Sequence, residues 1–196
     1  RGARRPGNPR LGGRVAWMKA AGGDRILLPP LYPQHCGART ATANDKAFEV
    51  LAGMRWQPAI RTLPPYHDDP AYIGALKASI EASLAALDFE PEGIVASFHG
   101  MPQRTLELGD PYNCQCRKTA RLLSEAMGRA LLVAFQSRFG RAKWLEPATD
   151  KVLEALQGKA VKRSATVGPG SPADSPEPPQ RTASRTRGGG AARGGG

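Results

Sequence analysis

Gly93-Ile94-Val95-Ala96-Ser97-Phe98-His99-Gly100-Met101-Pro102 is the stretch on which the fold turns. Its first half is a short apolar run rich in β-branched residues, the signature of a strand buried on both faces. Its second half breaks that run with an imidazole, a glycine and a proline. A His placed where a buried strand gives way to a loop sits where open α/β sheets build their ligand sites. Gly100 lets a ligand approach the backbone closely, and Pro102 stiffens the loop. A neutral imidazole there can accept a proton near pH 7 or bind a divalent metal. The residues alone leave its chemistry open.

Outward from this strand the chain alternates. Ile26-Leu27-Leu28 begins a short buried strand, stopped by Pro29-Pro30 and Tyr32-Pro33-Gln34. Thr40-Ala41-Thr42 offers hydroxyl N-caps for a helix carrying Ala47, Val50, Leu51 and Met54 at helical spacing. Pro58–Leu63 reads as a second strand. Asp68-Asp69-Pro70 opens a helix whose Ile73, Leu76, Ile80, Leu84 and Leu87 form one apolar stripe. After the His99 strand a helix is expected from about Tyr112 to Met127, with Ala120, Leu123 and Met127 inward and Gly128 as its stop. Leu131–Phe135 is a fourth strand, and Thr149 is placed to cap a short helix through Val152, Leu153 and Leu156. Ala160–Val167 is placed like another strand but is too polar for a buried one. Strands alternating with helices of this length predict an α/β fold with a parallel sheet and right-handed crossovers.

Charge and composition divide the chain into three. Residues 1–25 carry seven Lys/Arg against Asp24, and residues 157–196 carry seven against Asp174 and Glu177. The 131 residues between hold fourteen charges of each sign, so the net +11 resides in the two ends. Residues 1–23 read as a degraded basic segment, 24–167 as the α/β core, and 168–196 as a Pro/Gly/Arg-rich tail too poor in apolar residues to order itself. An electrically balanced core gives no reason to expect a nucleic-acid partner. No stretch approaches the roughly 20 apolar residues of a membrane span, and no signal peptide is read. Three cysteines make no disulfide framework, which suits a reduced, cytoplasmic protein.

Other candidates have plainer readings. His67 sits in a polar turn before a helix, and His35 in the loop after the first strand. Cys114-x-Cys116 lacks the partners that zinc or an iron–sulfur cluster needs. Trp144 reads as packing or as the wall of a pocket for a flat aromatic ligand. No phosphate-binding glycine motif and no Gly-x-Ser-x-Gly elbow is present.

Several separated motifs, in order, resemble the ferrochelatase family in its bacterial form. They are Pro30-Leu31-Tyr32-Pro33-Gln34, Met54-Arg55-Trp56-Gln57-Pro58-Ala59, Ser97-Phe98-His99-Gly100-Met101-Pro102, Leu108-Gly109-Asp110-Pro111-Tyr112, and Phe135-Gln136-Ser137-Arg138-Phe139-Gly140 with Trp144-Leu145. The clear likeness spans about residues 24–163. It implies a chelatase-like fold of two Rossmann-like halves around a porphyrin cleft, of which this chain supplies one half and part of the second, incomplete at both ends. It also implies insertion of ferrous iron into protoporphyrin IX to form protohaem, with release of two protons. His99 matches the family's porphyrin-facing His, a proton acceptor or iron ligand. In ungapped register Glu177 falls on the family's catalytic Glu, although Ser171 replaces an aromatic and Pro176 and Pro178 flank it. Arg5, in Arg5-Pro6-Gly7-Asn8-Pro9, matches a cleft Arg. Tyr32, Ser137 and Trp144 are further cleft candidates. No resident cofactor is implied, since iron and porphyrin are substrates; peripheral membrane association is compatible with the family. The other reading kept open is an inactive fragment that at most binds porphyrin.

Overall fold

The computed structural model describes residues 11–136, 140–159, 161 and 163–170. Arg5, Ser137 and Glu177 lie outside the described residues. The elements in order are α1 (Leu11–Ala20), β1 (Arg25–Leu28), α2 (Thr42–Ala52), β2 (Ala59–Thr62), α3 (Pro70–Ala85), β3 (Gly93–His99), α4 (Gln103–Glu107), α5 (Tyr112–Met127), β4 (Leu131–Gln136), α6 (Thr149–Gly158) and β5 (Ser164–Val167). Every strand pairing is parallel, with β1 beside β2 and a second sheet in the order β4-β3-β5. The α/β architecture expected from the alternating pattern is therefore present, its described strands paired as two sheets.

β3 is central because its sequence tolerates no water on either face. Ile94, Val95, Ala96 and Phe98 are all buried, and Phe98 meets Phe135 of β4 with ring centroids 6.3 Å apart. β5 pairs only with β3 and stays at the edge of the described sheet. That position accommodates Ser164 and Thr166, which a central strand would not. α5 covers this sheet with Tyr112, Cys116, Thr119, Ala120 and Leu123 turned inward. Full burial of Leu123 contributes about 2–3 kcal/mol. Gly128 ends the helix in the left-handed region, φ 63°, where a side chain would be strained.

α3 begins as its sequence requires. Asp69 accepts hydrogen bonds from the Ala71 and Tyr72 amides, and Pro70 takes the first turn, where its missing N–H costs nothing. The helix buries Ile73 and Ile80, with Tyr72, Leu76 and Leu84 partly covered.

Two local expectations are corrected. Thr40 and Thr42 do not cap α2; a π-turn over Gly37–Ala41 precedes it, with Thr40 Oγ1 accepting from Cys36 N and Thr42 Oγ1 donating to the Gly37 carbonyl. Thr149 is the first residue of α6, after Ala148, and its hydroxyl pairs with that of Ser97 at 2.8 Å. The helical pattern around Val15-Ala16-Trp17-Met18 is present as α1. Its Val15 is buried with Ile26 and Leu51 in a small second core.

Candidate functional site at the carboxyl edge of β3

β4 lies on one side of β3 and β5, the later strand, on the other. The chain thus changes direction across the sheet at β3, and ligands in open α/β sheets bind outside the carboxyl ends at such a switch point. His99 is the last residue of β3. Its Cα pairs with Gln136 of β4, and the following Gly100 amide donates to the Gln136 carbonyl at 2.6 Å. The His99 carbonyl accepts from the Tyr112 hydroxyl at 3.0 Å. The imidazole-bearing residue is half-buried, held by backbone on one side and by α5 on the other.

Two loops close on this edge. Residues 143–145 run antiparallel to 101–103: Gln103 N donates to the Lys143 carbonyl, Leu145 N to the Met101 carbonyl, and Trp144 bridges Pro102. Trp144, half-buried, is therefore fixed beside the His99 loop. The loop after β1 is fastened to α5 and to the turn before it. The His35 amide donates to Gln115 Oε1 at 2.6 Å, and the Gly37 amide donates to Asp110 Oδ2 at 2.8 Å. Asp110 Oδ1 meanwhile accepts from Tyr112 N at 2.9 Å, so one carboxylate ties two loops together. Tyr32, on the β1 loop, is 38% exposed, and the Arg39 guanidinium lies 5.9 Å from its ring centroid, within cation–π range.

The exit of β5 is held too. The Pro169 carbonyl accepts from Tyr72 Oη at 2.9 Å and from Gln34 Nε2 at 3.3 Å. Gln34 also donates to Thr119 Oγ1, whose hydroxyl donates in turn to the His67 carbonyl at 2.7 Å. Burial pushes the Tyr72 and Tyr112 phenols far above their ordinary range, so both remain neutral donors. Asp110, Gln34, Tyr72 and Thr119 carry this network, and reading the sequence assigned none of them a role. Only Asp110 offered a local signal, an acidic residue immediately before a helix.

Of the candidates named from sequence, His99 ends β3, Trp144 lies on the loop bridged to the one that follows it, and Tyr32 lies on the loop after β1 that is fastened to α5. His35 reaches α5 through its backbone. His67 does not act as an exposed turn residue: its side chain is mostly covered, and burial holds its pKa below the usual histidine value, with Asp68 opposing and Lys118 reinforcing the shift. Among the described residues no group of three or more His, Cys, Asp or Glu is placed to hold a metal ion. No helix among them is long and apolar enough to cross a membrane.

A parallel α/β domain with an imidazole at the carboxyl end of its central strand, walled by two fastened loops, belongs to the class of open α/β sheets whose ligand sites lie outside the carboxyl ends of the strands. The family model described as Ferrochelatase matches residues 2–184. Among curated relatives, the ferrochelatase of Rhizobium meliloti (strain 1021) is 56% identical over 175 residues, covering 88% of this chain and 52% of that protein. The ferrochelatases of Agrobacterium fabrum (54%) and Nitrobacter hamburgensis (53%) match over the same length, with 51% of each relative covered. The chain spans about half the length of the curated relatives it matches, and it belongs to the ferrochelatase family.

Proposed function

We propose that this chain supplies the His99-bearing half of an enzyme that inserts Fe²⁺ into protoporphyrin IX to give protohaem. The observation that carries the reading is the placement of His99, whose backbone is fixed on two sides at the switch point of the sheet. Metallation replaces two pyrrole N–H bonds with bonds to iron and releases two protons, so the porphyrin needs a base near its nitrogens. His99 is that base or the residue that first holds the iron, and Glu177 its partner. Trp144 and Tyr32 line the cleft for the macrocycle, with Arg5 and Ser137 as further contacts. A wall built on fastened loops suits a substrate that must be bent for its lone pairs to meet the metal. Iron and porphyrin enter as substrates, with no resident cofactor. In this reading residues 24–167 are the core and the reaction is cytoplasmic.

The test is metallation followed through the porphyrin absorption spectrum, with Zn²⁺ or anaerobic Fe²⁺ and purified chain. The proposal expects turnover above the buffer rate and its loss in His99→Ala. Spectral evidence of porphyrin binding without turnover, in both wild type and variant, would assign the chain to a binding fragment instead.

A further inference from the structure

We propose that Arg39 receives a propionate carboxylate of the porphyrin and so sets a preference for an acidic macrocycle. The inference rests on the porphyrin reading above. Protoporphyrin IX is a flat, largely apolar ring with two propionate arms on one rim, so its site needs an apolar wall with a cation at the border. Arg39 is half-buried on the loop after β1. Its guanidinium lies 5.9 Å from the ring centroid of Tyr32, the cleft candidate on the same loop. Among the described residues the Arg39 side chain has no carboxylate partner and no hydrogen bond. A guanidinium taken partly out of water gains most from an anion that replaces its lost hydration.

The acid that faces this loop does not supply that anion. Asp110 has both carboxylate oxygens on backbone amides, Oδ2 on Gly37 and Oδ1 on Tyr112. The turn that carries Arg39 is already formed. Its own amide donates to the Cys36 carbonyl at 3.1 Å, the Ala41 amide to the same oxygen at 3.3 Å, and Thr42 Oγ1 to the Gly37 carbonyl. Little backbone ordering is left to oppose binding. The guanidinium also sits toward the candidate base. Burial raises the pKa of Tyr112 and of Cys116, one turn apart on α5, and the Arg39 charge opposes the rise in both. Its field therefore reaches the helix whose Tyr112 hydroxyl holds the His99 carbonyl. A guanidinium fork grips a carboxylate through two parallel N–H···O bonds in its own plane, which leaves its flat face against an aromatic ring. Tyr32 and Arg39 together thus offer one surface to the ring of the macrocycle and one to its acid rim.

The experiment measures binding of protoporphyrin IX and of its dimethyl ester to the full chain, in the same detergent, through the change in porphyrin fluorescence. Wild type is expected to bind the diacid about tenfold or more tighter than the ester, with a preference that shrinks as salt rises. Arg39→Gln is expected to erase the preference by weakening the diacid alone. Arg39→Lys, a point charge without the fork, is expected to keep part of it. Removing the carboxylate and removing the guanidinium are then non-additive, as for two groups in contact. If wild type binds both porphyrins and Arg39→Gln weakens both alike, or neither, the inference is overturned while the porphyrin reading stands. If wild type binds neither, the porphyrin reading fails and takes this inference with it.

Discussion

Tyr112→Phe isolates the contact that fixes the candidate base. Tyr112 is 4% exposed, and its ring packs in the main core, which Phe preserves. The hydroxyl goes, and with it the donor to the His99 carbonyl at 3.0 Å and a side-chain contact with the Cys116 thiol. Removing one partner of a partly buried hydrogen bond costs about 1–3 kcal/mol; His99 is half-buried, so water can partly replace the donor, and about 1–2 kcal/mol is expected. For a chain of 150–250 residues, each kcal/mol lowers Tm by roughly 2–4 °C, giving about 2–8 °C here. Paired thermal and urea unfolding of wild type and variant measures this, with the urea m-value expected to stay constant. In the metallation assay kcat is expected to fall more than KM for porphyrin shifts, because the macrocycle's other contacts remain. A Tm within 1 °C of wild type, or a change in KM alone, would refute the idea that this bond positions His99.

Two further outcomes concern the network behind the site. Thr119 is fully buried and both accepts from Gln34 and donates to the His67 carbonyl; the isosteric Thr119→Val is expected to cost about 2–3 kcal/mol by leaving those groups short of partners, read as a lower urea midpoint. His67 has a buried Nδ1 that lacks a hydrogen-bond partner among the described residues, and burial lowers its pKa. The unfolded chain therefore takes up a proton near pH 6.5 while the folded protein resists it, so stability falls as pH drops through about 6.5 toward the lower folded value. The urea midpoint is expected to be lower at pH 5.5 than at 7.5, and His67→Gln to flatten that difference; an equal slope in the variant would place the effect elsewhere.

Much of the scaffold was legible because it rests on local rules. The apolar run from Gly93 announced a buried strand, Asp69-Pro70 announced the start of α3, and Gly128 announced the end of α5. Each is a matter of backbone preference or of period within one segment, which neighbours in sequence settle. The reading of His99 as the residue at the ligand edge followed from the same logic. Thr149 marks where local rules stop: placed by the sequence to cap its own helix, its hydroxyl pairs instead with that of Ser97, on a strand 52 positions away.

The sequence by itself determined the α/β alternation, the strand that ends in His99 and the family to which its motifs belong. Tertiary structure alone decided how that residue is held. The Tyr112 hydroxyl on the His99 carbonyl, Asp110 bridging Gly37 and Tyr112, and Gln34 with Tyr72 on the Pro169 carbonyl are satisfied polar pairs, most of them between segments far apart in the chain. No periodicity records such pairs, because a buried donor needs only some acceptor, and which one it meets is fixed when the elements pack.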